Sequence, residues 1–378
     1  MDVFGDFYYL CRKFEMSKLH IFNPEHDIAL AANLSNFTAP HAGRQLRNDL
    51  GFLPALWAND DDVVMIDNIS YAERQWLRLR QRLRVLGLDA RCYCEHPQFD
   101  VRQSPSIINQ MTEVDPWGWD RAIHREMVRI GFPVEHLPSK DYLDVVRQLS
   151  HRRTSALLLP QLRLNGTVGE SFECSDIQNV NKLHSIFGSI ILKAPWSSSG
   201  RGLRFVNSPL TEAKENQHLI GWLRNMFQLQ GSVMVEPIYN KVEDFGMEFS
   251  VDSSGRVKYL GLSLFHTVNG AYVGNILATE AKKREYINKF ISLDLLDAVK
   301  QRIESSIRLD GYAGPFGIDM MIVASDKGFL LHPCVEINLR RTMGHVALCM
   351  QPSDDDIVRV MRIEYSDRYQ LKIKKLQK

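Results

Sequence analysis

The chain has 378 residues, 44% of them hydrophobic and 24% charged, more than one ordinary core accommodates, so two or three domains are expected. Lys and Arg number 46 against 45 Asp and Glu, which provides no basic surplus for a nucleic-acid partner. No apolar run approaches the roughly 18 residues of a membrane helix, so the sequence reads as a cytoplasmic protein with neither a nucleic-acid nor a membrane partner. The first stretch, MDVFGDFYYLCRKFE, lacks signal-peptide character because Asp2 and Asp6 precede and interrupt its apolar residues. Met16 opens the first pattern of an ordered strand and reads as an alternative start.

Residues 18–22 and 62–67 are expected to form short buried strands. Residues 71–86 form an arginine-rich helix closed by Gly87, with Arg74, Arg78 and Arg82 on one solvated face. The segment CYCEH at 92–96 lacks a second ligand pair at zinc spacing, and the six cysteines are too scattered for a disulfide framework. Reduced thiols fit better. Strands alternating with helices over 17–135 indicate a small α/β domain. Ser139 then caps a helix running to about Ser150. Strands follow as ALLLP, SIILKAP, LRFV, VMVEPIY, EFSVD, KYLGLSLF, GIDMMIV and FLLHPCVEIN, with helices at 211–229 and 281–307 and a hairpin at 253–255. The class is α/β of the mixed α+β kind. The stretch after 351 reads as a helix-like, solvated tail.

Three segments carry the chemistry. Lys193 ends an apolar strand and is followed by SSSGRG, where Ser198, Ser199, Gly200 and Gly202 expose backbone and hydroxyl groups suited to phosphate oxygens. No GK[ST] follows, so this is not a Walker A loop. Glu236 closes one strand and Glu248 lies on the next, where carboxylates can accept hydrogen bonds from ribose hydroxyls or an adenine amine. Asp319 sits on one strand while Glu336 and Asn338 share a face of the following one. Two carboxylates and an amide oxygen suit Mg²⁺, and Arg340 continues that face toward phosphate charge.

Lys193 with its Ser/Gly loop, Glu236, Glu248, Asp319, Glu336-x-Asn338 and Arg340 occur in an order that resembles the ATP-grasp superfamily, with some flavour of its carbamoyl-phosphate-synthetase branch. The resemblance spans about 136–350. It implies a pre-ATP-grasp α/β domain over 17–135, grasp subdomains over 136–236 and 237–350, an N-terminal extension over 1–16 and a C-terminal tail over 351–378. It further implies ATP with Mg²⁺ or Mn²⁺, with Lys140 as a further phosphate-contacting residue. The chain departs from the common EINPR by carrying Leu339 and a doubled arginine, so Arg340 and Arg341 compete for the phosphate role and Glu243 competes for the ribose. The activity so implied is ligation of a small-molecule or peptide carboxylate to an amine. A kinase or a non-catalytic nucleotide-binding protein on the same scaffold are the alternatives. Substrate contacts are expected from His26, His266, Asn275 and His345, and a homodimer is the default oligomeric state.

Overall fold

The computed structural model describes residues 17–89, 97–101, 108, 111–197, 202–211, 216–268 and 271–376. The first unit is a parallel sheet of β1 (Lys18–Ile21), β2 (Val63–Ile66), β3 (Gln98–Val101) and β4 (Glu113–Pro116), in the order β3-β2-β1-β4. Val63, Val64, Met65 and Ile66 are all buried, because both faces of the sheet are covered. Helices α1 (His26–Ala32), α2 (His41–Leu50), α3 (Ile69–Val85) and α4 (Arg121–Arg129) supply the covers. Val64 and Ile66 pack with Trp76, Leu79 and Leu83 of α3, while Val63 and Met65 pack with Ile123 and Met127 of α4. Asn68 caps α3, and Asp120 caps α4 through the amides of Ala122 and Ile123.

Helix α5 (Lys140–Leu149), capped by Ser139 as expected, leads into α6 (Arg153–Leu158). The ALLLP segment is therefore helical at its start and ends in a 3-10 turn, where a strand was expected. Leu158, Leu159 and Leu162 all enter the main core, and a short apolar run is ambiguous between strand and buried helix until its partners are known. Next comes an antiparallel sheet of β5 (Phe172–Cys174), β6 (Ile190–Lys193), β7 (Leu203–Val206) and β8 (Val233–Pro237), ordered β5-β8-β6-β7. Helices α7 (Ile177–Phe187) and α8 (Gln217–Gln230) back it through Val180, Leu223 and Met226.

The largest sheet contains β9 (Lys241–Val251), β10 (Val257–Val268), β11 (Ala271–Leu277), β12 (Gly314–Ser325), β13 (Gly328–Asn338), β14 (Arg359–Tyr365) and β15 (Tyr369–Lys375). Its order is β13-β12-β9-β10-β11-β14-β15, antiparallel throughout. Helices α9 (Glu280–Ile287) and α10 (Leu293–Ser306) cover one face, where Ile287, Leu296, Val299 and Ile303 meet Phe245, Met247, Phe249, Ile318, Met320 and Ile322. Period two then turns Gly246, Glu248, Gly317 and Asp319 to the other face. The short helix α11 (Met343–Leu348) follows β13.

The stretch after 351 is the clearest departure from expectation. Rather than a helix-like tail it forms the β14–β15 hairpin, which extends the large sheet. Met361 pairs with Ile373, and both are buried in the same cluster as Trp76 and Leu83. The period-two alternation in RVMRIEY and YQLKIKK, on either side of the turn at 366–368, carried that information.

Candidate active site

A narrow cleft is lined by Ser197, which follows β6 of the small antiparallel sheet, and by Glu336 and Asn338 on β13 of the large one. Lys193 ends β6, and Glu236 stands on neighbouring β8. Lys193 Nζ lies 2.6 Å from Glu236 Oε2, and both side chains are only 8% exposed. Ser171 Oγ donates to the other Glu236 oxygen at 3.2 Å. Gly202 follows the serine loop, and its carbonyl accepts from the Ala194 amide at 2.9 Å. A Cβ at Gly202 would collide with Ser197 and Ala194, so glycine is required for this close approach. Ser198, Ser199 and Gly200 lie outside the described residues.

Across the cleft Asp319 and Glu336 are direct cross-strand partners, and Asn338 pairs with Gly317 on the same two strands. Asn338 Nδ2 donates to Asp319 Oδ2 at 3.2 Å. Burial, then the neighbouring Glu336 and Glu248 carboxylates, push the Asp319 carboxyl up to about 8. Such a group gains most from a nearby cation. No three His, Cys, Asp or Glu side chains gather as metal ligands among the described residues, so any metal here would have two carboxylates, completed by the Asn338 amide only if it turned its oxygen from Arg340 toward Asp319. That is a hard-oxygen set, and it fits Mg²⁺, which fills its remaining positions with water and phosphate.

Arg152 is the residue that sequence reasoning missed. It precedes α6, is 7% exposed, and places Nη2 at 2.8 Å from both oxygens of Glu336. Its Nη1 donates to Ser197 Oγ at 2.6 Å and to the Ala194 carbonyl at 2.7 Å. One guanidinium thus ties the start of the serine loop to the acidic pair. In the sequence HRRT nothing distinguishes Arg152 from a surface arginine, because its partners lie about 45 and 184 residues away.

The doubled arginine divides its work. Arg340 donates to both oxygens of Asp27 at 2.8 and 2.9 Å and to Asn338 Oδ1 at 3.0 Å. Burial would raise the Asp27 carboxyl, but Arg340 holds it below its ordinary value. Arg341 turns away, donating to Asp115 Oδ1 at 2.6 Å and stacking 4.7 Å over Trp57. Of the two, Arg340 stands beside the acidic set.

Of the expected substrate and nucleotide contacts, four occupy other settings. Glu243 faces the helix side of the sheet and accepts from Tyr286 Oη of α9 at 2.6 Å, away from any ribose in the cleft. Glu248 is on the cleft side but buried, accepting from Thr342 Oγ1 at 2.9 Å and lying 2.9 Å from His345 Nδ1. His345 completes the capping box of α11 and reaches the Phe249 carbonyl at 3.2 Å, a structural role in place of an anion contact. Asn275 is buried between Ser263 and Tyr272. The strand alternation places these side chains, and the sequence blocks alone did not resolve the phase.

Lys140 begins α5 exposed, where its charge acts on His124, and does not line the cleft. The side chain of His266 lies outside the described residues. His26 is different. It lines a narrow cleft with Asp27, Ser197, Glu336 and Asn338. Its Nδ1 lies 3.2 Å from Asp120 Oδ2, while Nε2 is buried without a partner. A Cβ at residue 118 would overlap this imidazole, so Gly118 makes the space it occupies.

His332 on β13 was also missed. It is 1% exposed, stacks edge-on to Tyr239 at 5.5 Å, and neither ring nitrogen has a partner. Burial, then the Lys193 charge, push its pKa down to about 3. The unfolded chain takes up this proton below about pH 6.5 while the fold refuses it, so stability is full above pH 6.5 and falls toward pH 3. By pH 5 the expected loss from this residue is about 2 kcal/mol. Urea unfolding at pH 7 and pH 5 checks this, since His332→Gln should flatten the pH dependence by that amount. An unchanged slope would show that the imidazole is solvated.

No family model matches the sequence, and no curated protein matches it. Solved structures do. The biotin carboxylase–β,γ-ATP complex from Campylobacter jejuni superposes with a TM-score of 0.50 at 13% identity, covering 95% of this chain and 78% of that one. The fold is an ATP-grasp fold. N5-carboxyaminoimidazole synthetase from Staphylococcus aureus with ADP gives a TM-score of 0.44 at 11% identity over 92% and 82% of the two chains. D-alanyl-alanine synthetase A from Vibrio cholerae gives 0.42 at 12% identity over 88% and 92%.

Proposed function

We propose that this chain is an ATP- and Mg²⁺-dependent ligase that joins a carboxylate to an amine through an acyl phosphate. The observation that carries the reading is the bridge made by Arg152, which donates to Glu336 in the acidic set on the large sheet and to Ala194 and Ser197, just after Lys193, on the small one. The ATP-grasp fold and the hard-oxygen donor set support it.

In this reading adenine lies against the segment from Glu236 to Tyr239, and Lys193 and Arg340 offset phosphate charge. Asp27, Asn338 and the Arg341 carbonyl hold the Arg340 guanidinium, so the single Nη1 N–H left over is already oriented before substrate arrives. Asp319, Glu336 and Asn338 would hold Mg²⁺, which would supply positive charge against the phosphates. Keeping water out of the cleft would protect an acyl phosphate from hydrolysis. His26, held by Asp120 and facing the same cleft as Glu336, is placed in this reading on the acceptor side.

The test is product stoichiometry with Mg-ATP and a panel of carboxylic acids, using hydroxylamine as the acceptor. A ligase yields a hydroxamate with ADP and free phosphate in equal amounts. ADP without free phosphate would instead make the chain a kinase, and no turnover with any acid would favour a nucleotide-binding role.

A further inference from the structure

The parallel sheet buries a titratable contact that reaches the large sheet. Leu19 and Ile21 of β1 pack with Ile123 and Met127 of α4, so period two turns His20 to the opposite face. Because β1 lies between β2 and β4, that side chain meets a carboxylate on each side. Its Nε2 lies 3.0 Å from Asp62 Oδ2, just before β2, and its Nδ1 lies 2.8 Å from Oδ2 of Asp115, the directly paired residue of β4. His20 is only 2% exposed. A neutral imidazole carries one N–H and leaves a lone pair on its other nitrogen, so it cannot answer both carboxylates. Burial would lower the His20 pKa, but Asp115 and Asp62 lift it above its ordinary 6.5.

The two contacts are unequal. Nε2 meets Asp62 in line, whereas Nδ1 meets Asp115 off the N–H axis. Asp62 also accepts from the amides of Lys18 and Asn59, at 2.8 Å each. Asp115 leans instead on Arg341, whose Nη1 donates to its Oδ1 at 2.6 Å. Loss of the His20 proton therefore leaves the N–H on Asp62 and turns the Nδ1 lone pair on Asp115. Around the ring Arg341 supplies the opposing positive charge, and Trp57 stands edge-on at 6.5 Å. Lys18 and Glu113, two residues earlier on the same two strands, pair with each other at 2.9 Å. Arg341 also fastens the end of β13 to the parallel sheet through its backbone. Its amide donates to the Trp117 carbonyl at 2.9 Å, and its own carbonyl accepts from Arg340 Nη1 at 3.0 Å.

We propose that His20 is a proton-operated clamp between the two sheets and a positioning residue for the paired arginines. As an imidazolium it balances Asp115, which holds Arg341 and through it the Arg340 guanidinium; loss of the proton loosens that hold. The clamp stands on its own, whereas its bearing on phosphate charge rests on the reading of Arg340 given above. The folded-state pKa lies above that of the unfolded chain, so the stabilisation is full below about pH 6.5 and is lost as pH rises through the folded value. His332 acts on the other side, since its contribution fades as pH falls.

Nitrogen NMR of the full chain with labelled histidine reads the ring directly, the His20 signals being assigned by their loss in His20→Gln. Both ring nitrogens should be protonated at about pH 6.5, with a titration midpoint above that value. A neutral ring at that pH would overturn the proposal. Urea unfolding and hydrogen exchange of the peptide spanning Leu339–Thr342 then compare wild type with His20→Gln at about pH 6 and about pH 9. Glutamine can donate and accept but does not titrate, and comparing the proteins at each pH removes the contribution of Asp319, which titrates at about 8. The wild type should be more stable and exchange more slowly at the lower pH, and both advantages should shrink at the higher. Advantages of equal size at the two pH values would reduce His20 to a packing residue and overturn the clamp. Should His20→Gln fail to fold, Asp115→Asn serves in its place: the His20 midpoint is expected to fall, and an unchanged midpoint would contradict the proposal. No nucleotide enters these measurements, so failure of the clamp and failure of the nucleotide reading are told apart.

Discussion

Arg152→Met is expected to destabilise the protein by about 3 kcal/mol, the scale on which a buried ion pair is broken by removing one partner. The pair is not a surface contact, since the Arg152 side chain is 8% exposed and that of Glu336 27%. Methionine fills much of the volume but restores none of the hydrogen bonds to Glu336, Ser197 and Ala194. It also leaves the Glu336 carboxylate beside Asp319 with Arg340 as the remaining nearby cation. The loss should therefore depend on magnesium. With chelator present the full destabilisation appears, whereas millimolar Mg²⁺ recovers part of it, because a divalent ion on Glu336 replaces the missing guanidinium. Urea unfolding under both conditions measures this. A cost below about 1 kcal/mol would place the pair among ordinary solvated ion pairs and remove Arg152 from the account.

Glu336→Gln is expected to act in the opposite sense, sparing the fold and abolishing turnover. The amide keeps nearly the same shape, and its carbonyl oxygen still accepts from Arg152. What it lacks is the charge, so the hard-oxygen set falls to one carboxylate and an amide. Magnesium-linked nucleotide binding should collapse with it. The contrast between the two variants matters: Arg152 is expected to serve stability first and Glu336 the ligand first, although they touch at 2.8 Å.

Much of the fold was legible because the apolar patterns were strong. The parallel strands at 18–21 and 63–66, the Ser139 cap, and the β12–β13 hairpin with Asp319 opposite Glu336 all follow from periodicity and turn residues. Two elements were misread for identifiable reasons. ALLLP is short enough to serve either period, and only its burial beneath the large sheet decides for a helical turn. The C-terminal hairpin alternates, but its outward positions are so rich in charge that its lysines and arginines read as a solvated tail.

The site was legible in its blocks and illegible in its partners. Lys193, Asp319, Glu336 and Asn338 stand in recognisable local contexts. Glu243 and Glu248 lie on one strand at odd spacing, so they cannot share a face, and which of them entered the cleft depended on the register with β12. Arg152 and Asp27 carry no local mark at all. Their importance comes from contacts that cross domains, which composition and spacing do not encode.

The most direct measurement is thermal unfolding of the wild-type chain and Glu336→Gln with a non-hydrolysable ATP analogue, with and without Mg²⁺. At about a hundred times its dissociation constant a ligand adds roughly 2.7 kcal/mol to the folded state. A magnesium-dependent rise in the wild type that is absent from Glu336→Gln is the predicted result. An equal rise in both proteins, or none in either, would contradict the assignment of this cleft to Mg-ATP.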